Sequence, residues 1–176
     1  MPQKRETHAV SCAPSTLRTG PLTAQALTAE GFAPFGDVLR VPQEVGTRTY
    51  FDDALASLKP QTPASLSLIL AAPSLARPVP VTLIERHRLT SQSFVPMALT
   101  PWLVVVAPNA ADGSPDLAAA LAFLPAPGEG ITLKPGVWHA PLTALETPAP
   151  FAIFMWRDFG PDDEDFADIA PFTVAL

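Results

Sequence analysis

The sequence predicts an all-β, single-domain protein, built as an antiparallel β-barrel with one or two short helices. From Gly36 onward, short apolar or alternating runs recur about every 8–12 residues with turn-forming residues between them, which is typical of a sandwich or barrel. The 176 residues include 22 prolines, more than twice the usual share of about 5%, and proline disrupts helix interiors. Hydrophobic residues make up 48% of the chain, enough to form a sizeable core.

The chain begins with a segment that lacks hydrophobic periodicity. Residues 1–20 are polar, and we predict that they form a flexible N-terminal leader before a domain over residues 21–176. At the start of this domain, Thr23 is a suitable N-cap for a short helix over Ala24–Glu30, which Gly31 would close.

The β-strands are expected after this helix, in runs separated by proline, glycine and polar residues. The predicted strands are Asp37–Val41, Thr47–Phe51, Ser65–Ala71, Val79–Arg88, Gln92–Met97, Trp102–Ala107, Gly130–Lys134, Val137–Leu145 and Phe151–Arg157. A second helix is predicted over Leu117–Leu124, with Ser114 as N-cap and Pro115 in the first turn. The tail, Asp158–Leu176, carries clustered acidic residues and is predicted to be a solvated segment.

Charge and cysteine content exclude several classes of function. The formal net charge is −6 at pH 7, so a phosphate backbone would repel the chain and no nucleic-acid partner is expected. Cys12 is the single cysteine, which excludes an intrachain disulfide and a cysteine-based zinc site. No apolar run approaches the roughly 20 residues that span a bilayer, and the N-terminus lacks the apolar region of a secretory signal. We therefore expect no membrane association and a cytoplasmic location.

The predicted strand Val79–Arg88 places two reactive side chains on one face. Glu85 and His87 are two residues apart, so they lie on the same side of a strand, roughly 6–7 Å from each other. A carboxylate and an imidazole so placed can share a proton, a substrate or a metal ion. The alternative is a structural or solvated ion pair at a strand end.

A second histidine follows a tight turn at Pro135-Gly136. Trp138 and His139 are adjacent in a predicted strand and therefore point to opposite faces. His139 is either a hydrogen-bonded structural residue or a ligand. Lys134 is either an exposed turn lysine or an anion clamp.

The two segments together resemble the paired motifs of cupins. Gly130, Pro135-Gly136 and His139 resemble the second motif, and Glu85-x-His87-x4-Gln92 resembles an altered first one. A site of Glu85, His87, Gln92 and His139 would offer nitrogen and oxygen ligands, which suit a divalent ion of the manganese-to-nickel series. Gln92 is equally interpretable as a strand residue that hydrogen-bonds a neighbour.

Over about 130 residues the chain resembles the ureidoglycolate lyase family, which has a cupin-like fold. The matching segments are LTAEGFAPFGDVLRV (27–41), RTYFDDALA (48–56), SLSLILAAP (65–73), LIERHRLTSQSFVPM (83–97), WLVVVAP (102–108), PDLAAALAFLPAPGEGITLKPGVWHAPL (115–142) and FAIFMWRDFG (151–160). The combination of the ERH…SQ.F.P block with the G…W-H.PL block is the most specific part.

The resemblance implies an enzyme that cleaves ureidoglycolate to glyoxylate and urea in allantoin and purine nitrogen catabolism. It also implies a homodimer, a small carboxylate substrate and a divalent metal, nickel by resemblance, with manganese or no metal left open. Glu85 with His87 or His139 would transfer protons, and Lys134 or Arg48 would hold the carboxylate. The other expected substrate contacts are Gln92, Phe94 and Trp138.

Four positions depart from the family pattern. An arginine is common where this chain has Leu70, a histidine where it has Lys134, a second histidine where it has Ala140, and an Asp-Arg-Gly-like stretch where it has Met155-Trp156-Arg157-Asp158. The alternatives to ureidoglycolate cleavage are a divergent enzyme acting on another small carboxylate and a non-catalytic cupin dimer that binds a small anion.

Overall fold

The computed structural model describes residues 18, 20–158, 160 and 162–176. Within them the chain forms strands β1 (Leu22–Ala26), β2 (Gly36–Leu39), β3 (Ala64–Ala71), β4 (Val79–His87), β5 (Gln92–Pro96), β6 (Trp102–Ala107), β7 (Leu121–Leu124), β8 (Gly130–Leu133), β9 (Trp138–His139), β10 (Thr143–Ala144), β11 (Ala149–Trp156) and β12 (Glu164–Ala175). Helix α1 spans Ala29–Phe32, and a 3₁₀ turn spans Leu117–Ala119.

The strands form two sheets. The first has the order β10-β6-β7-β1-β12-β4-β9, and a further pairing of β6 with β9 closes six of its strands into a ring. The second has the order β2-β8-β5-β11-β3. The prediction of an all-β, cupin-like fold with one or two short helices is therefore confirmed. One detail differs, because β1 runs parallel to both β7 and β12 while the other strand pairs are antiparallel.

Two hydrophobic clusters lie on opposite faces of the ring strands. One contains alternate residues of all six ring strands, including Val105 and Trp138. The other joins the opposite faces of β6 and β7 to the second sheet, with Val104, Phe94 and Phe151 among its members. Since neighbouring residues of a strand point to opposite faces, β9 directs Trp138 into the first cluster and His139 toward the second sheet.

The predicted first helix, Ala24–Glu30, is wrong for most of its length. Residues 22–26 form β1, which has strands on both sides and satisfies its backbone groups by pairing with them. The helix itself is shorter, Ala29–Phe32, and its N-cap is Thr28 instead of Thr23. The Thr28 hydroxyl oxygen accepts a hydrogen bond from the Gly31 backbone N–H at 3.1 Å.

The predicted second helix, Leu117–Leu124, is also wrong beyond its first turn. It ends after the 3₁₀ turn, which Asp116 caps by accepting from the backbone N–H groups of Ala118 and Ala119. The remaining residues form β7, whose Ala122 and Phe123 are each 1% exposed and belong to different clusters. A strand between two neighbouring strands can bury both of its faces. The prediction of a helix interpreted this apolar run as the buried face of a helix.

The prediction of a solvated acidic tail over Asp158–Leu176 is wrong for its larger part. β12 is the longest strand, pairs with β4 and β1, and buries Ala167, Phe172 and Val174. Buried residues of the strand alternate with more exposed ones, and a register shift between Asp168 and Phe172 interrupts the alternation. Because this tail is rich in acidic residues, its composition did not indicate a strand with partners on both sides.

Two further predicted strands differ. Residues 47–51, all of them described, form an exposed loop without strand pairing. Val137–Leu145 divides into β9 and β10 around Pro141, which has no N–H for a ladder. Most of the predicted leader, residues 1–17 and 19, lies outside the described residues. No helix in the described part of the chain is both long and apolar enough to cross a membrane.

Candidate active site

The pairing of β4 with β9 places Glu85 opposite His139. Glu85 Oε1 lies 3.7 Å from His139 Nε2. His139 Nδ1 is 3.0 Å from the Val137 carbonyl oxygen, and because a carbonyl only accepts, Nδ1 carries the proton. Nε2 therefore holds a lone pair, and this nitrogen is buried without a hydrogen-bond partner.

Burial keeps the His139 imidazole neutral. Desolvation is the main cause that lowers the pKa of His139 to about 4; the Val137 carbonyl opposes it and nearby His87 adds to it. The residue is only 3% exposed. At neutral pH it is an uncharged proton or ligand acceptor, consistent with a functional role and also with a structural one.

His87 lies beside this pair. The ring centroids of His87 and His139 are 6.1 Å apart, and the Phe94 ring meets His139 edge-on at 6.4 Å. The structure therefore brings together four of the predicted site residues, Glu85, His87, His139 and Phe94, between β4, β5 and β9. The structure thus brings the ERH block and the W-H block together, and the roles of their residues stay predictions.

Gln92 lies on β5 with only 8% of its surface exposed. Its side-chain nitrogen lies 3.9 Å from the Met155 sulfur, and its side-chain oxygen is buried with no hydrogen-bond partner. A buried amide oxygen without a partner costs about 1–3 kcal/mol. This atom and His139 Nε2 are two buried acceptors left without a donor.

The prediction that Glu85, His87, Gln92 and His139 bind a divalent ion stays a prediction. No three His, Cys, Asp or Glu side chains among residues 18, 20–158, 160 and 162–176 are grouped so that they could hold one. The Nδ1 atom of His87 faces Asp163 Oδ2 at 3.6 Å, and the Gln92 nitrogen contacts a thioether. We therefore derive no step through a nickel or manganese ion.

A cavity of about 190 Å³ opens beside His87. Two cationic side chains line it, Lys59 and Arg157, together with the hydroxyl-bearing Thr62 and Thr90. The other lining residues are Met155, Trp156, Asp158, Gly160, Asp163 and Glu164. The volume suits a small polar molecule, and His87 is the one predicted site residue in its wall.

Two loops meet at this cavity through an ion-paired lysine. Lys59 Nζ lies 2.6 Å from Asp158 Oδ2 and 3.5 Å from Asp162 Oδ2. The hydrogen bond to Asp158 is the main cause that raises the pKa of Lys59 above its ordinary value. The ammonium is charged at neutral pH and is held at the wall of the cavity.

Asp163 is a further wall residue that connects to His87. Burial by itself would raise the pKa of the Asp163 carboxyl, but the nearby His87 imidazole and hydrogen bonds from Thr90 and the Leu89 N–H outweigh it and hold the pKa below the ordinary value. The side chain is 14% exposed. An ionised carboxylate therefore stands next to the imidazole.

Three predicted site residues lie elsewhere. Lys134 Nζ donates to the Ala33 carbonyl oxygen at 2.7 Å. Arg48 donates to the Tyr50 hydroxyl at 3.3 Å and lines a separate cavity of about 280 Å³. Trp138 points away from His139, and its indole N–H donates to the Gly113 carbonyl oxygen at 3.1 Å.

The positions that depart from the family pattern occupy different environments. Met155 adjoins both Gln92 and the cavity. Ala140 packs against the first cluster, on the Trp138 side of the molecule. Leu70 is 68% exposed on β3. Of these three, Met155 is the one that alters the chemistry of the cavity wall directly, by placing a thioether there.

The comparisons with known proteins agree with the sequence resemblance. Residues 19–174 match the family model described as ureidoglycolate lyase. A ureidoglycolate lyase of Mesorhizobium japonicum is 35% identical over 153 residues, covering 82% of this chain and 91% of the relative. Relatives of the same name from Brucella melitensis and Burkholderia mallei are 37% and 36% identical over 139 and 140 residues, each covering 75% of this chain and 80% of the relative.

Solved structures add a more distant likeness. A dTDP sugar isomerase from Desulfovibrio desulfuricans aligns with a TM-score of 0.44 and 19% identity, covering 76% of this chain and 82% of that one. The family match and the relatives define the class of the protein as a lyase. The chain belongs to the ureidoglycolate lyase family.

Proposed function

We propose that the protein cleaves ureidoglycolate to glyoxylate and urea. The observation that carries the proposal is the cavity beside His87. In a chain of the ureidoglycolate lyase family, it combines an imidazole with two cationic side chains, Lys59 and Arg157, in a volume of about 190 Å³. An imidazole can move a proton near neutral pH, and cations can hold a carboxylate.

The reaction is an elimination that needs one proton moved. In ureidoglycolate a single carbon bears a hydrogen, a hydroxyl, a carboxylate and the ureido nitrogen. The hydroxyl O–H loses its proton, the oxygen forms a carbonyl with the carbon, and the carbon–nitrogen bond breaks. The departing nitrogen gains a proton and leaves as urea, while the carbon fragment leaves as glyoxylate.

His87 can serve both ends of this transfer. The proton that the hydroxyl loses is equivalent to the one that the nitrogen gains, so one imidazole between the two atoms can accept it and return it. Positioned acid–base groups of this kind contribute typically about 10²–10⁴-fold. Lys59 and Arg157 replace Lys134 and Arg48 as the proposed carboxylate contacts, because they line the same cavity as His87.

Glu85 and His139 stand behind His87 in this proposal. Neither lines the cavity, and they meet each other at 3.7 Å. Their part is to form the polar wall against which the His87 ring lies, with Phe94 shielding the pair from water. A catalytic proton transfer through Glu85 or His139 stays a prediction.

Glyoxylate release by the purified protein tests the proposal. Ureidoglycolate is added to the enzyme as purified, to enzyme treated with a chelator, and to enzyme supplied with nickel or manganese. The proposal expects turnover above about 1 s⁻¹ from the enzyme as purified or supplied with metal. No turnover under any condition would refute it. Turnover that the chelator abolishes and nickel restores would support the predicted metal site.

The reaction of the family also suggests a metabolic pathway and a cellular location. We propose that the enzyme acts in allantoin and purine nitrogen catabolism, in the cytoplasm, where its product glyoxylate would be consumed by a further enzyme. Family membership supports this placement.

We also propose a homodimer formed through β3. This strand is an edge of the second sheet and pairs only with β11 among the described residues. Leu66, Leu68 and Leu70 alternate along it on the face opposite to Phe151 and are 68–70% exposed. An apolar edge strand invites pairing, and a two-fold axis would let it pair with the same strand of a second copy.

Replacing Leu68 with lysine is expected to weaken the dimer. A charge at the centre of the apolar edge would be desolvated in the interface, which opposes association. Sedimentation velocity across a concentration series measures the monomer fraction. The control is Leu75→Lys, because Leu75 is 71% exposed but lies outside β3. A wild-type protein that is monomeric throughout, or a Leu68→Lys variant that dimerises as well as the control, would contradict the β3 interface.

A further inference from the structure

The Asp163 carboxylate connects the loop before β12 to the turn after β4 by hydrogen bonds. Asp163 Oδ1 accepts from the Leu89 N–H at 2.6 Å, and Asp163 Oδ2 accepts from the Thr90 hydroxyl at 2.5 Å. The backbone reinforces the contact, since the Arg88 N–H donates to the Asp163 carbonyl oxygen at 2.7 Å. The Asp163 carboxylate is therefore fixed in place by groups other than His87.

This fixed carboxylate faces the imidazole that lines the cavity. Asp163 Oδ2 lies 3.6 Å from His87 Nδ1, and the two side chains are 14% and 8% exposed. The distance is longer than a hydrogen bond, but such contacts often tighten only when substrate is bound. Both residues also line the cavity.

We propose that Asp163 is a positioning residue that holds His87 with Nδ1–H toward its carboxylate and leaves Nε2 to exchange the proton with the substrate. The inference rests on the proposed lyase function and names a residue that carries part of it. When His87 accepts the proton it becomes a cation in a nearly buried position. A preorganised negative charge close by stabilises that cation more strongly than water does at an exposed site.

Several ionisable groups surround His87, and they include Glu164, which lies opposite it on β12 and lines the cavity. His139 faces His87 at 6.1 Å between ring centroids and is kept neutral by burial. Glu85 approaches His139. The carboxylates of Asp158 and Asp162 form ion pairs with Lys59. Among the described residues, the carboxylate within ion-pair distance of His87 is that of Asp163.

Asp163→Asn tests the proposal in kinetics. The substitution keeps the shape and an acceptor oxygen but removes the charge. We expect kcat to fall by more than about 10-fold while KM changes by less than about 2-fold, because the lost interaction belongs to the transition state. Asp168→Asn is the matched control: it makes the same change on β12, at an exposed side chain outside the cavity lining. An unchanged kcat in Asp163→Asn would overturn the proposal.

The tautomer of His87 provides a readout that does not depend on the variant folding or on activity. Two-bond ¹H–¹⁵N spectra of the wild-type protein report which ring nitrogen carries the proton. The proposal requires the Nδ1–H form in the wild type, and a mixed or Nε2–H form in Asp163→Asn. A wild-type His87 with its proton on Nε2 would overturn the inference whether or not ureidoglycolate is cleaved. Failure of glyoxylate release alone would overturn only the proposed function.

Discussion

Replacing His87 with glutamine is expected to lower kcat for ureidoglycolate cleavage by about 10²–10⁴-fold, the range of a lost acid–base group. His87 is the imidazole in the wall of the cavity, and an amide cannot accept and return the proton. KM should change little, because the carboxylate contacts, Lys59 and Arg157, are untouched. Steady-state glyoxylate release measures both constants.

A matched variant separates loss of chemistry from loss of fold. Thr82→Gln introduces the same amide on the same strand at an exposed position outside the cavity, and it should retain wild-type kcat. A His87→Gln variant that melts like wild type but keeps more than about a tenth of its kcat would remove His87 from the mechanism. The proton transfers would then have to be sought at Glu85.

The free energy of unfolding should fall as the pH drops from about 6.5 to about 4, because of His139. Burial lowers the pKa of His139 from its ordinary value of 6.5 to about 4 in the folded protein. Between these two values the unfolded chain binds a proton that the folded chain does not, so acid favours unfolding. The difference between the two pKa values corresponds to about 3 kcal/mol, lost progressively across this window and not regained below it.

Urea denaturation at several pH values between 4 and 7 measures this slope. His139→Gln has no titrating group at the position, so the pH dependence in this window should be smaller by about 3 kcal/mol. Asp163 does not interfere, because its pKa lies below the ordinary carboxyl value and its contribution is lost only at lower pH. A variant with the same pH dependence as wild type would show that His139 is not held neutral by burial.

The sequence was sufficient to predict the fold class and the meeting of its two histidine-bearing segments. Alternating runs separated by proline predicted strands such as β3, β4, β5 and β6 to within about one residue of their ends. The prediction of one site combined two motifs that are more than fifty residues apart in the chain, and the structure places Glu85 opposite His139. Opposite orientations for Trp138 and His139 followed from strand geometry alone.

The cavity beside His87 was less predictable, because distant loops form it. Lys59 lies in a loop, and Asp163 lies in a segment whose acidity suggested solvation. Phe166 and Phe172 in the same segment are apolar residues that indicate a strand. The register shift between Asp168 and Phe172 breaks the period of two that would have identified this strand from the sequence.

The two predicted anion contacts, Lys134 and Arg48, lie outside this cavity for the same reason. Lys134 sits next to the turn that carries His139, and Arg48 lies in a matching segment, so sequence proximity favoured both. The turn directs Lys134 to the Ala33 carbonyl, and the loop of residues 47–51 carries Arg48 to another cavity. Tertiary packing sets the direction in which these two side chains point, and a single sequence does not show that packing.

The central claim is that the bond between the glycolate carbon and the ureido nitrogen breaks without hydrolysis of the urea group. Quantifying urea, glyoxylate and ammonia in one reaction of wild-type enzyme with ureidoglycolate tests it directly. We predict urea and glyoxylate in equal amounts, appearing together, with no enzyme-dependent ammonia. Ammonia released in step with glyoxylate would mean that water attacks the ureido carbonyl, and would contradict the assignment of the chain as a lyase.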